Sequence, residues 1–117
     1  MPQAIYPPPD KRLDTFVRVY LPRLCAEYEP EQVWLWGSMA MGTGDEWSDI
    51  DLVIVSPKFQ GTDFTQRRIE LKKRLGLRLN PEVGTIDAIC YTPDEFERQL
   101  SRPTIIREGV QRGRRLV

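Results

Sequence analysis

The sequence predicts an α+β fold, a β-sheet with helices packed on it. Short apolar runs at Gln32–Trp36, Ile50–Val55 and Thr85–Tyr91 read as strands, and stretches with helical spacing flank and separate them. The resulting order is helix, strand, strand, helix, strand, helix, helix. A chain of 117 residues suits one domain, residues 1–117, burying roughly two-thirds of its unfolded surface.

Residues 1–9 read as a proline-rich leader stiffened by Pro7, Pro8 and Pro9, after which Asp10 is placed to cap a helix. Leu13, Phe16, Val17, Tyr20, Leu21 and Leu24 give that helix one continuous apolar face. Pro22 interrupts it, removing a backbone hydrogen bond and bending it before an end near Tyr28. Ile50–Val55 is apolar at nearly every position, the pattern of a central strand covered on both faces, and Pro57 ends it. A helix is expected from Asp63 to about Leu77, with Phe64, Arg68, Leu71 and Leu75 on one face and Gly76 as its stop. Thr92-Pro93-Asp94-Glu95 combines a capping threonine, a proline at the first helical position and a capping-box glutamate. The last helix, Thr104 to Gln111, is expected to turn Ile105, Ile106 and Val110 inward. Gly113 separates it from a basic tail, residues 113–117, able to add a short edge strand.

Composition removes several function classes. Lysines plus arginines equal aspartates plus glutamates at 17 each, so overall charge offers no drive toward nucleic acid or an anionic membrane. With no histidine, hydrolases built on Ser-His or Cys-His couples are excluded, and catalysis must rest on carboxylates. Cys25 and Cys90 lack metal-ligand spacing and read as reduced packing residues. The N-terminus has no basic segment followed by an apolar stretch, and no run approaches the ~20 apolar residues of a membrane helix. A soluble, cytoplasmic protein is expected.

Asp49 and Asp51 lie two apart, so on an extended chain they project from one face about 7 Å apart at the backbone. Two carboxylates about 4 Å apart repel by about 4 kcal/mol at the effective dielectric of a protein surface, and a divalent cation reverses that sign. Gly37 and Ser38 end the preceding strand; antiparallel pairing brings them beside the start of the Asp49 strand. Glycine lets the backbone approach an anion, and Ser38, at the start of a short helical turn through Met41, offers a hydroxyl and N–H groups to phosphate. Asp87 stands alone among apolar residues in the third strand, where a buried acid needs a partner. Three such carboxylates suit a two-metal phosphoryl-transfer site. Singly, Asp-x-Asp marks many strand ends, Ser38 is an ordinary helix cap and Asp87 an ordinary paired strand acid. Their joint order gives them weight.

Gly37-Ser38, ten intervening residues, Asp49-Ile50-Asp51 and then Asp87 on a later strand resemble the minimal nucleotidyltransferase family of the DNA polymerase β superfamily. The resemblance spans the chain from Val33 through Thr92-Pro93-Asp94-Glu95-Phe96. It implies a nucleotidyltransferase fold around a mixed sheet, a Mg²⁺–nucleoside triphosphate donor with two Mg²⁺ ions, and release of pyrophosphate. By position, Asp49 and Asp51 bind the metals and Asp87 completes the set and helps deprotonate an acceptor hydroxyl. Gly37 and Ser38 hold the triphosphate, and Ser48 joins them as a nucleotide contact. Members often carry a basic residue shortly after Gly-Ser, commonly an arginine before the next glycine; here the segment is Met39-Ala40-Met41-Gly42.

The function so implied is AMP transfer from ATP to a hydroxyl. The core leaves little mass for an acceptor domain, so a partner is expected to supply it. In family terms that partner is a HEPN-domain ribonuclease toxin whose tyrosine accepts AMP, with this chain as antitoxin in a joint oligomer. The alternatives are a small-molecule or RNA-end nucleotidyltransferase, and a catalytically weak antitoxin that masks its partner. Arg67, Arg68, Lys72, Lys73, Arg74 and Arg78 crowd one helix and its exit. A solvated face is the first reading and an RNA or acidic-partner contact the other. Arg112, Arg114 and Arg115 form a second cluster, from which a side chain could reach the phosphates.

Overall fold

The computed structural model describes residues 7–45 and 47–117. The leader expected over residues 1–9 lies outside them except for Pro7, Pro8 and Pro9. Pro9 already belongs to helix α1 (Pro9–Thr15), with Pro8 at the cap position and Asp10 in the first turn making no capping bond. A proline at the first helical position has its φ preset and lacks only an N–H that would have no helical partner there, so the helix starts before Asp10.

Pro22 acts as an interruption on its N-terminal side. Residues Phe16–Tyr20 form a π-helical turn, closed by the Leu21 N–H on the Phe16 carbonyl, before α2 (Leu21–Tyr28) resumes. Pro22 has no N–H for the carbonyl four residues back, and its ring crowds that carbonyl; a wider turn relieves both. Left-handed Glu29 ends the helix.

The sheet contains β1 (Gln32–Trp36), β2 (Ile50–Val55), β3 (Ile86–Tyr91) and β4 (Arg114–Arg115) in the order β3-β2-β1-β4. β1 pairs antiparallel with β2 and β4, and β2 pairs parallel with β3, making the sheet mixed. The basic tail thus adds the short edge strand. α3 (Gly37–Met41) follows β1 directly. The parallel pair needs a crossover, supplied by α4 (Phe64–Leu75), which stops at left-handed Gly76. α5 (Pro93–Leu100) opens with the full Thr92–Glu95 capping box, and Thr104 caps α6 (Ile105–Arg112).

Alternation along the strands sorts the core onto two faces. Val33, Leu35, Ile50, Leu52, Ile54, Ile86, Ala88 and Cys90 pack against Phe16, Tyr20 and Leu24 of the first helix and Leu71 and Leu75 of α4. Val53, Val55 and Tyr91 pack against Phe96, Ile106 and Val110 of α5 and α6. Cys25 and Cys90 are free thiols, and burial pushes the Cys90 thiol up to about 12. No helix among the described residues is long and apolar enough to cross a membrane.

Two expected faces are corrected. On α4, Leu71 and Leu75 are buried as expected, but the third buried position is Arg67, while Arg68 and Phe64 are exposed. Arg67 therefore leaves the basic cluster: it donates to the Thr62 and Cys90 carbonyls and to Glu95, 2.6 Å away. Glu95 also accepts from the Thr92 N–H, and the Arg67 guanidinium holds its carboxyl down at about 2. On α6, Ile106 and Val110 face the sheet and Ile105 is 75% exposed. Four-residue spacing selects Ile106 and Val110; Ile105 shares its face with Gly109 and Arg112 instead.

Candidate active site

Register assembles the site. Trp36 lies opposite Asp51 in the antiparallel pair, and Asp51 lies opposite Asp87 in the parallel pair. These three residues form one row across three strands, on the face that carries Val53, Val55 and Tyr91 farther along. α5 and α6 cover the farther rows, leaving the carboxylates at the open end. Asp51 is half-buried, and Asp49, just ahead of β2, is exposed. Asp87, expected to be a buried acid, is exposed as well, because β3 is an edge strand and its first residues lie beyond the helical cover.

Gly37 turns the chain from β1 into α3 with φ +72°, and a Cβ there would collide with Asp51 Oδ2. Only glycine lets the backbone sit against that carboxylate. Ser38 is the second residue of α3, the cap position being Trp36, and its carbonyl accepts the Thr43 N–H at 3.0 Å. The Ser48 hydroxyl accepts the Asp45 N–H at 2.9 Å and donates to Asp45 Oδ1 at 3.2 Å, so it orders the loop leading to Asp49.

Arg12 holds that loop from below and was not anticipated. Its buried guanidinium donates to the carbonyls of Ser48 (2.9 Å), Asp45 (3.2 Å) and Pro7 (2.9 Å). It also packs where a Cβ on Gly84, φ +70°, would stand 2.8 Å from Nη1. One guanidinium thus abuts both the loop before β2 and the turn before β3. A signal existed: Arg12 precedes Phe16 by four residues, on the buried stripe, where a charge implies partners.

Burial pushes the Asp51 carboxyl up to about 6, with the neighbouring charges of Asp87 and Asp49 adding to the rise. Among the described residues no cation forms an ion pair with any of the three. Hard, acceptor-only oxygens in mutual repulsion fit Mg²⁺. They are not preassembled: among the described residues no three acidic, cysteine or histidine side chains form a ready cation cage. Asp51 and Asp87 are strand neighbours and Asp49 stands at the loop end, so the expected metal set lacks closure by protein groups alone. Met41 and Trp47, within the Gly37–Asp49 segment, are exposed.

Three comparisons bear on this arrangement. The crystal structure of a "putative nucleotidyltransferase" from Sulfolobus solfataricus is similar at 17% identity and TM-score 0.53, over 84% of this chain and 82% of that one. BolA1 from Arabidopsis thaliana is similar at 20% identity and TM-score 0.53, over 68% of this chain and 93% of that one. The BolA domain of SufE1 from Arabidopsis thaliana reaches 24% identity and TM-score 0.50, over 68% and 90%. At such identities these likenesses concern the fold alone. No curated protein matches the chain. The family model for the nucleotidyltransferase domain matches residues 17–115, which include both strands of the Gly-Ser and Asp-x-Asp motif and Asp87; the chain belongs to that family.

Proposed function

We propose that the chain is a Mg²⁺-dependent nucleotidyltransferase that moves AMP from ATP to a hydroxyl, the acceptor being a tyrosine of a HEPN-type toxin for which it acts as antitoxin. Family membership supports nucleotidyl transfer in general. The observation that carries the reading is the Trp36–Asp51–Asp87 row with the Gly37 backbone packed on Asp51.

In this reading an acceptor oxygen attacks the α-phosphorus, a new O–P bond forms, the α–β bridging bond breaks and pyrophosphate leaves. Asp87, exposed at the sheet edge, takes the hydroxyl proton. Asp51 and Asp49 would hold Mg²⁺, and Asp87 would complete the set. Bound Mg²⁺ would supply charge neutralisation at the attacking and leaving oxygens. Gly37 gives the phosphates a close backbone approach, Ser38 offers a hydroxyl beside it, and Ser48 keeps the loop in place. Exposure of Asp49 and Asp87 supports an acceptor presented from outside.

The Met39-Ala40-Met41 segment, without a basic residue, favours a second reading, in which the chain binds and masks its partner with little catalysis. Incubation with a HEPN-domain partner, Mg²⁺ and α-labelled ATP separates the two. Label on the partner, lost with Asp51→Asn and Asp87→Asn, supports transfer; tight association without label supports masking. Label retained at the wild-type level by both variants contradicts the carboxylate roles.

A further inference from the structure

Beside the carboxylate row lies a cleft of about 210 Å³ between α3 and the exposed face of α6. Trp36, Gly37, Met41 and Arg112 are among its walls. Its size falls below the about 300 Å³ at which pockets for whole drug-sized ligands begin, so it suits one end of a nucleotide.

α6 is fitted closely to this place. A Cβ on Gly109 would collide with the Trp36 ring at Cε3, so glycine, otherwise unfavourable in mid-helix, lets α6 settle onto β1. Arg112 lies three residues on, on the same helical face, and so reaches the cleft that Gly37 borders.

Arg112 is lightly committed elsewhere. Among the described residues it pairs with Glu108, four residues back, at 3.6 Å with both side chains 65% exposed, and such pairs are weak. Glu108 lines the cleft too, and a triphosphate carries several times its charge. Trp36 also lines the cleft, and its Nε1, buried beneath the surface, has no hydrogen-bond partner among the described residues. A cleft bordered by a guanidinium and by the backbone of Gly37 is suited to an anion. Met41, on the opposite wall, supplies no charge.

We propose that Arg112 binds the β- and γ-phosphates of the nucleotide and so selects triphosphate over monophosphate, a cation delivered by α6 instead of by the Gly-Ser segment. This rests on the nucleotidyltransferase reading. Bonds from arginine to phosphate are charge-assisted and often bidentate, so losing one weakens binding about tenfold or more.

The test is calorimetric titration of the full chain with Mg-ATP and with AMP. Arg112→Met should weaken Mg-ATP about tenfold or more and leave AMP unchanged, while Arg112→Lys should recover part of the loss. Arg18→Met is the control, since Arg18 makes a matching four-residue pair with Asp14 at similar exposure and lies on the first helix; it should bind as wild type does. Mg-ATP binding by Arg112→Met equal to wild type overturns the assignment alone. No Mg-ATP binding by the wild type overturns the nucleotidyltransferase reading and the assignment with it.

Discussion

Asp51→Asn should make the protein more stable at neutral pH. The Asp51 carboxyl rises from an ordinary 3.8 to about 6, first through burial and then through Asp87 and Asp49. At about 1.4 kcal/mol per pH unit the full rise corresponds to about 3 kcal/mol. The side chain is only half-buried and water screens part of that, leaving about 1–2 kcal/mol. Between about pH 4 and 6 the folded chain keeps a proton that the unfolded chain has released, so wild-type stability falls as pH rises through that window and levels off above it. Asparagine, of nearly the same shape and without charge, removes this loss.

Urea denaturation of both proteins from pH 3.5 to 8 measures the difference. The variant should gain about 1–2 kcal/mol at pH 7.5 and nothing near pH 3.5. Millimolar Mg²⁺ should raise the wild type and leave the variant unmoved. A variant less stable than wild type at pH 7.5, or a difference that does not change with pH, would refute the idea of an uncompensated acidic cluster.

Gly37→Ala should cost about 1–2 kcal/mol from its positive φ and more from the collision with Asp51, and should abolish nucleotide binding. Gly42→Ala, at φ +73° with open space around it, should show the backbone cost alone and bind nucleotide normally, so equal behaviour of the two variants would discount the Gly37–Asp51 contact. Arg12→Met strips a charged donor from three carbonyls and should cost about 3 kcal/mol. Amide exchange over residues 42–49 should accelerate in that variant; unchanged exchange there would separate Arg12 from the loop.

Much of the frame was legible because local signals and tertiary demands agreed. β1 and β2 have the bounds their apolar runs suggested, Gly76 stops α4, and the Thr92–Glu95 box opens α5, each a rule acting within a few residues. Gly37 meets the acids if β1 and β2 pair antiparallel, and the register agrees. What escaped depended on distant partners. Arg12 and Arg67 look like surface charges until the carbonyls of Ser48 and Cys90 and the carboxylate of Glu95 are brought to them. Ile105 reads as core until the turn of α6 gives that face to Gly109 and Arg112. For Asp87, the strand was recognisable but its place at the sheet edge was not, so burial was expected where exposure occurs.

Crystals grown with Mn²⁺ and a non-hydrolysable ATP analogue, measured at the manganese absorption edge, test the site most directly. An anomalous peak bonded to carboxylate oxygens of both Asp51 and Asp87, with the analogue's phosphates beside Gly37, is the expected result. Nucleotide bound on another face, or a peak that touches neither carboxylate, would contradict it.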